Sequence, residues 1–255
     1  MSEPLVITER RGPILIVTIN RPHAKNACDA ATARAMNEAA DRLDADDSLF
    51  IGIVTGAGGT FSAGADLRAA ARGESASTPE RGGFGFFRRP PSKPVIAAVE
   101  DVAVGGGMEL CMACDLVVAA RDARFGLPEV RHNVLAIGGG LFRTVQRIPY
   151  NIAMEFLLTG DLQTAETMQR WGFVNRVTEP GEALAGALEL AERMLVNGPT
   201  ALAATKQAVR ASTDWREDDA WTLQMPIANR ALESEDRKEG VQAFLEKRKP
   251  VWKGR

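Results

Sequence analysis

The chain is poor in the residues that metal, redox and disulfide chemistry draw on. Its 255 residues include three cysteines and two histidines, too few and too scattered for a disulfide framework or a His/Cys cage. Cys111 and Cys114 have a Cys-x-x-Cys spacing, but no second Cys or His pair stands nearby and the run from Leu110 to Cys114 is apolar. They read as buried helix cysteines acting as small hydrophobes. His23 and His132 lie in unlike neighbourhoods and no Ser–His–Asp order is evident, so no metal site or triad is expected. Basic charge is not in excess either. A formal net charge of −2 argues against a nucleic-acid partner, whose phosphates demand a basic surface. No apolar run approaches the ~20 residues of a membrane span. The opening Met1-Ser2-Glu3-Pro4 has neither the basic nor the apolar region of a secretory leader. The expected location is the cytoplasm, with no membrane partner.

What is present is a large apolar fraction, 45%, enough at this length to bury roughly three-quarters of the unfolded surface in one large domain. β-branched runs predict strands over Leu5–Thr8 and Ile14–Asn20, turned at Gly12-Pro13, then over Phe50–Thr55, Pro94–Val99 and Leu116–Ala120. Helices are predicted from about Asp29, as N-cap, to Leu43, over Asp66–Arg72, and over Gly106–Cys114. Gly56 to Gly64 reads as a loop. Gly73 to Pro91 is the longest stretch without a pattern, read as a lid or a disordered segment carrying Phe84, Phe86 and Phe87. After Gly139 the pattern turns helical, with one strand over Phe173–Val177 and breaks at Gly198-Pro199 and near Pro226. Alternation of strand, loop and helix points to an α/β class, divided into a core over 1–197 and a helical region over 198–255.

Chemistry concentrates in two places. Gly105-Gly106-Gly107-Met108-Glu109 is a glycine run opening a helix, with Pro128-Glu129 twenty positions on. A helix start leaves backbone N–H groups unpaired, and its dipole favours an anion. Ala63-Gly64-Ala65-Asp66 is a second glycine-containing junction of loop and helix. Two carboxylates beside bare amides suit a reaction that polarises a carbonyl and moves protons next to it. Taken singly, each glycine run is equally an ordinary turn, and each acid equally a first-turn residue complementing the dipole or closing a capping box.

Several blocks in register carry a resemblance. Asn20-Arg21-Pro22 with Asn26-Ala27, Phe61 to Leu67, Lys93 to Val99, the glycine run with Glu109, Cys114-Asp115, Phe125-Gly126 with Pro128-Glu129, and Leu158-Thr159-Gly160 stand in the order seen in enoyl-CoA hydratases, the crotonases. The resemblance runs from about Leu5 to the end, where Glu246-Lys247-Arg248-Lys249 is also similar. Trp171 with its neighbours, Ser234-Glu235-Asp236 and the closing Pro250 to Arg255 resemble carnitinyl-CoA dehydratases in particular.

The resemblance implies a crotonase-like core of repeated β-β-α units wound as a spiral, with C-terminal helices that associate into a trimer or a pair of trimers. It implies hydration of an α,β-unsaturated acyl-CoA, with Ala65 and Gly106 amides as the oxyanion hole, Glu109 activating water and Glu129 donating the α-proton. Ala63, Gly64, Ala65, Asp66, Leu67, Arg68 and Gly106 would line the coenzyme A site, with Lys247 reaching it, often from a neighbouring subunit. No separate cofactor is implied; coenzyme A arrives with the substrate. The chain departs from the pattern twice. Val99-Glu100-Asp101 replaces a Val-Asn-Gly turn, and Ala136-Ile137-Gly138-Gly139-Gly140 replaces a Pro-Gly-Ala-Gly-Gly type loop, which bears on acyl length. A double-bond isomerase, a carnitinyl-CoA dehydratase, and a non-catalytic acyl-CoA-binding or RNA-binding relative remain as alternatives.

Overall fold

In the computed structural model, which describes residues 3–255, strands and helices alternate through most of the chain. β1 (Val6–Arg11) and β2 (Ile14–Ile19) form a hairpin turned at Gly12, where φ is +56°. Helix α1 (Ala30–Ala45) starts where the Asp29 carboxylate accepts the Thr32 N–H at 2.8 Å, as an N-cap should. β3 (Ile51–Gly56) leads to α2 (Leu67–Ala71), capped by Asp66 through the N–H groups of Arg68 and Ala69. A small hairpin of β4 (Ser77–Thr78) and β5 (Gly82–Gly83) follows. Then come β6 (Val95–Val99), β7 (Val102–Val104), α3 (Gly106–Ala113), β8 (Leu116–Ala120), β9 (Arg124–Gly126) and a 3₁₀ turn, Pro128–His132. Next are α4 (Gly140–Arg147), α5 (Tyr150–Thr159), β10 (Gln163–Thr164), α6 (Ala165–Arg170), β11 (Arg176–Thr178) and α7 (Ala183–Leu195). The last four helices are α8 (Pro199–Ala211), α9 (Glu217–Leu223), α10 (Met225–Leu232) and α11 (Glu235–Leu245).

Six strands form one sheet in the order β1-β2-β3-β6-β8-β11, antiparallel only at the β1 edge. Side-chain alternation divides its residues between two faces. Ile14, Ile16, Ile51, Ile53, Ile96 and Ala98 pack against Ala183, Ala187 and Ala191 of α7. Leu15, Val17, Ile19, Val54 and Ala97 join α1 and α3 on the other side. Covering both faces explains why these strands read as unbroken apolar runs. A second sheet pairs β7 with β9 in parallel and β9 with β10 antiparallel. A strand in the large sheet, a strand in the small sheet and then a helix therefore recur, as β6-β7-α3 and as β8-β9 followed by α4.

The stretch from Gly73 to Pro91 is neither structureless nor an open lid. Arg81, 1% exposed, pairs with Asp41 at 2.7 Å and Asp44 at 2.6 Å and donates to the Arg89 carbonyl, which ties the segment to α1. Phe84, Phe86 and Phe87 are buried in the core. The late strand also lies further along than expected. Phe173 and Val174 pack into the core ahead of it, and pairing with β8 starts only at Arg176.

Candidate active site

The glycine run stands where β7 delivers the chain to α3, and tight packing demands glycine there. Gly105 has φ +56°, a conformation that side chains disfavour. A Cβ on Gly106 would sit 2.4 Å from Phe84 Cζ, and one on Gly107 would sit 2.3 Å from the Ser62 carbonyl oxygen. The departure before the run has a physical reason. Asp101 takes φ +54° and holds the turn, its Oδ2 accepting the Thr60 hydroxyl at 2.9 Å. The Glu100 carboxylate accepts the N–H groups of Gly181 and Ala183 at 2.9 and 2.8 Å, capping the start of α7.

The second loop is pressed against the first. Cys28 bridges Ala65 by donating to the Gly64 carbonyl at 2.8 Å and accepting the Asp66 N–H at 2.9 Å. A parallel bridge of this kind uses the neighbours' groups and leaves the N–H of Ala65 itself over. Gly64, at φ +98°, comes so close to the glycine run that a Cβ on it would lie 3.1 Å from the Gly106 nitrogen. The Ala65 and Gly106 amides thus stand on touching backbones, without an acceptor among the described residues. Buried Asn26 fixes the loop: its side-chain N–H₂ donates to the Ala57 and Thr60 carbonyls, its side-chain oxygen accepts the Arg21 N–H at 2.9 Å, and its carbonyl accepts the Ser62 hydroxyl at 2.9 Å.

Both acids reach this place. Glu109, on the first turn of α3, is 5% exposed, and its Oε1 accepts the Gly140 N–H at 3.0 Å. Its Oε2 lies against Gly138, where a Cβ would stand 2.5 Å away. Burial pushes the Glu109 carboxyl above its ordinary range; the Gly140 N–H opposes that, the charge of Glu129 adds to it, and Arg143 opposes it. Glu129, half-buried on the 3₁₀ turn, brings Oε1 within 3.4 Å of where a Gly105 Cβ would be. Its Oε2 is buried with no hydrogen-bond partner, and burial raises this carboxyl too. The arrangement can therefore hold an anionic oxygen at the amides and keep two carboxyls, each reluctant to ionise, beside it.

Outside the acids, Ala63, Ala65, Asp66, Leu67 and Arg68 line a groove of about 620 Å³. Arg21, His23, Lys25 and Arg72 share it and make it basic, a set that no sequence motif marks as one site. The signal was present in Asn20-Arg21-Pro22 and Lys25, but only folding carries them to Asp66: Arg21 pairs with Asp29 at 3.1 Å and with Asp66 at 2.9 Å. Lys247, exposed after α11 at φ +55°, lines no part of this groove. Ile137 is 85% exposed, whereas Phe84 and Phe87 stack at 4.7 Å beneath Gly106 and Gly138. Cys111 and Cys114 are buried free thiols; burial pushes Cys114 to about 12 and raises Cys111 as well, so the thiolate that metal or redox chemistry needs is disfavoured. No group of three or more His, Cys, Asp or Glu that could hold a metal occurs among the described residues. No helix among them is long and apolar enough to cross a membrane.

The profile of the family described as Enoyl-CoA hydratase/isomerase matches residues 9–255. The chain is 40% identical to an enoyl-CoA hydratase, EchA19, of Mycobacterium tuberculosis over all of this chain and 98% of that protein. It is 43% identical to a carnitinyl-CoA dehydratase of Salmonella typhi over the full length of both. Among solved structures, the enoyl-CoA hydratase EchA1 of Mycobacterium marinum superposes with a TM-score of 0.96 at 54% identity, covering 99% of this chain and 100% of that one.

Proposed function

The chain belongs to the enoyl-CoA hydratase/isomerase family, and from that premise we propose that it is an enoyl-CoA hydratase, adding water reversibly to a trans-2-enoyl-CoA to give the 3-hydroxyacyl-CoA. The observation that carries this reading is the meeting of a buried and a half-buried carboxyl with the unpaired amides of Ala65 and Gly106.

In this reading the thioester oxygen accepts both amides. Attack of water at the β-carbon places negative charge on that oxygen as an enolate, which the amides stabilise; losing one such donor typically costs about 3–4 kcal/mol. Ionised Glu109 takes the proton that water loses as its oxygen bonds to the β-carbon. Protonated Glu129 gives its proton to the α-carbon, and the enolate collapses to the thioester. One proton enters and one leaves the acid pair, so exchange of the resulting proton resets it. The raised proton affinity of both groups suits sharing of that kind. Ala63, Gly64, Ala65, Asp66, Leu67, Arg68 and Gly106 would hold coenzyme A along the basic groove, with Lys247 supplied by a neighbouring copy and no separate cofactor. The alternating strands would close as the β-β-α spiral of residues 1–197, with 198–255 serving assembly as a trimer or pair of trimers, in the cytoplasm.

Isomerisation needs one proton shuttle, so a second acid favours hydration. A trimethylammonium substrate needs an aromatic or acidic wall, but Phe84 and Phe87 are buried and the cationic Arg143 faces Glu109. The test follows loss of the conjugated enoyl absorbance on crotonyl-CoA, longer enoyl-CoAs and crotonobetainyl-CoA. Turnover of the simple enoyl thioesters is expected, falling about 10²–10⁴-fold in Glu129→Gln. Preference for crotonobetainyl-CoA, or no turnover of any enoyl-CoA, would overturn the reading.

A further inference from the structure

Arg143 stands behind the acid pair in an unusual state. It is 9% exposed, with no carboxylate within ion-pairing distance among the described residues. Its guanidinium donates to the Phe87 carbonyl at 2.6 Å and to the Gly138 carbonyl at 3.5 Å, and it lies over the Phe142 ring at 5.4 Å. A Cβ on Gly139 would meet its nitrogen at 2.8 Å, so the turn Gly138–Gly140 is wrapped on it. The same turn supplies the N–H that Glu109 accepts. The charged groups facing Arg143 are Arg147 on its own helix, Arg210 from α8, and Glu109 from α3, with the Cys114 thiol nearby. Those facing Glu109 are Glu129 and Arg143. Among the described residues, Glu109 is thus the one carboxylate that this buried cation faces.

Resting on the hydratase reading, we propose that Arg143 is the positioning residue of the acid pair. It pins the Phe87 and Gly138 carbonyls so that Gly140 N–H is fixed on Glu109, and it is the cation against which ionised Glu109 is held. Glu109 must be ionised to receive a proton from water, yet burial and Glu129 both favour its neutral form. A cation behind it opposes both effects and favours the ionised form without touching substrate. Burial brings Arg143 itself down to about 10, still well above neutrality, so the charge persists at working pH.

The test compares the wild type with Arg143→Gln and Arg143→Lys by two readouts. The first is the titration midpoint of the Glu109 carboxyl, followed by ¹³C NMR and assigned by the signal lost in Glu109→Gln; it needs no turnover, so it stands or falls separately from the hydratase reading. The second is the pH profile of kcat/KM on crotonyl-CoA. Removing the positive charge raises the proton affinity of Glu109, so Arg143→Gln moves that midpoint, and the acidic limb of the profile, up by about 1 pH unit. Arg143→Lys keeps the charge but loses the planar fork. Its midpoint stays with the wild type, while kcat falls on the order of 10²-fold through misplacement and Gly140 amide exchange quickens. An unmoved midpoint in Arg143→Gln overturns the electrostatic half. Wild-type kcat and Gly140 protection in Arg143→Lys overturn the positioning half, and Arg143→Met serves as the neutral variant for the midpoint if Arg143→Gln does not fold.

Discussion

At the scale of a residue, Glu129 carries an oxygen that is buried and accepts nothing. Such a group destabilises the fold when ionised, because the charge has left water without a partner. Its proton affinity is raised by burial above the unfolded value. The protonated fold is then favoured: this favour is complete below the unfolded pKa and is lost as pH rises through the folded one. Glu129→Gln removes the ionisation. Its melting temperature is expected above that of the wild type at pH 7.5, with the gap closing toward pH 4 in calorimetric scans. An equal gap at both pH values would mean that the charge is not the cause. Glu109, Glu129, Ala65 and Gly106, the residues of the proposed site, could be singled out in the sequence because glycine runs and the motifs that carry the family resemblance are local. Arg143 was not, since its partners are the carbonyls of Phe87 and Gly138 and nothing local marks it. Lys25 and His23 escaped for a similar reason. Their groove is lined from two loops far apart in the chain, which the ion pairs of Arg21 with Asp29 and Asp66 hold together.

Among the elements, long apolar strands and capped helices were legible, because β2, β3 and β6 are buried on both faces and α1 begins at an acid that caps it. β7 and β9, three residues each, were missed: no periodicity can show over so short a run, and they exist only through pairing in the small sheet, β7 with β9 and β9 with β10. The hairpin of β4 and β5 is the sharper case. Glycine and proline made Gly73 to Pro91 look unpatterned, yet Arg81 binds it through Asp41 and Asp44 on α1, and Thr78 donates to Asn37 at 2.8 Å. Breaking a buried pair typically costs about 3–5 kcal/mol. Asp41 and Asp44 are partly exposed, so Arg81→Ala is expected to cost less, roughly 2 kcal/mol. Hydrogen exchange should quicken over residues 77–87 before it does in the large sheet. Because Phe84 underlies Gly106, kcat should fall with it. Unchanged exchange there would show that the phenylalanines alone hold the segment.

For the whole molecule, two regions expose groups of large apolar side chains of the kind that mark contact surfaces. Ile137, Leu141, Phe142 and Val145 stand exposed along and just before α4, next to the Gly138–Gly140 turn; Val241, Phe244 and Leu245 stand exposed on α11, with Phe244 at 82%. Scattered exposed leucines need no explanation, but runs on single helix faces do. A second copy that covers either region would also determine where Lys247 points, since it follows α11 directly. The proposed trimer or pair of trimers would then be a closed particle with the mass of three or six chains by light scattering. Phe142→Asp and Phe244→Asp test the two faces separately. A charge placed in a buried contact should lower the mass or make the melting temperature depend on protein concentration, while a charge on a face that stays in water changes neither. If assembly brings Lys247 to the groove, Lys247→Ala should raise KM for the thioester with kcat little changed. A chain that remains monomeric at micromolar concentration and turns over normally would refute both the assembly and the borrowed lysine.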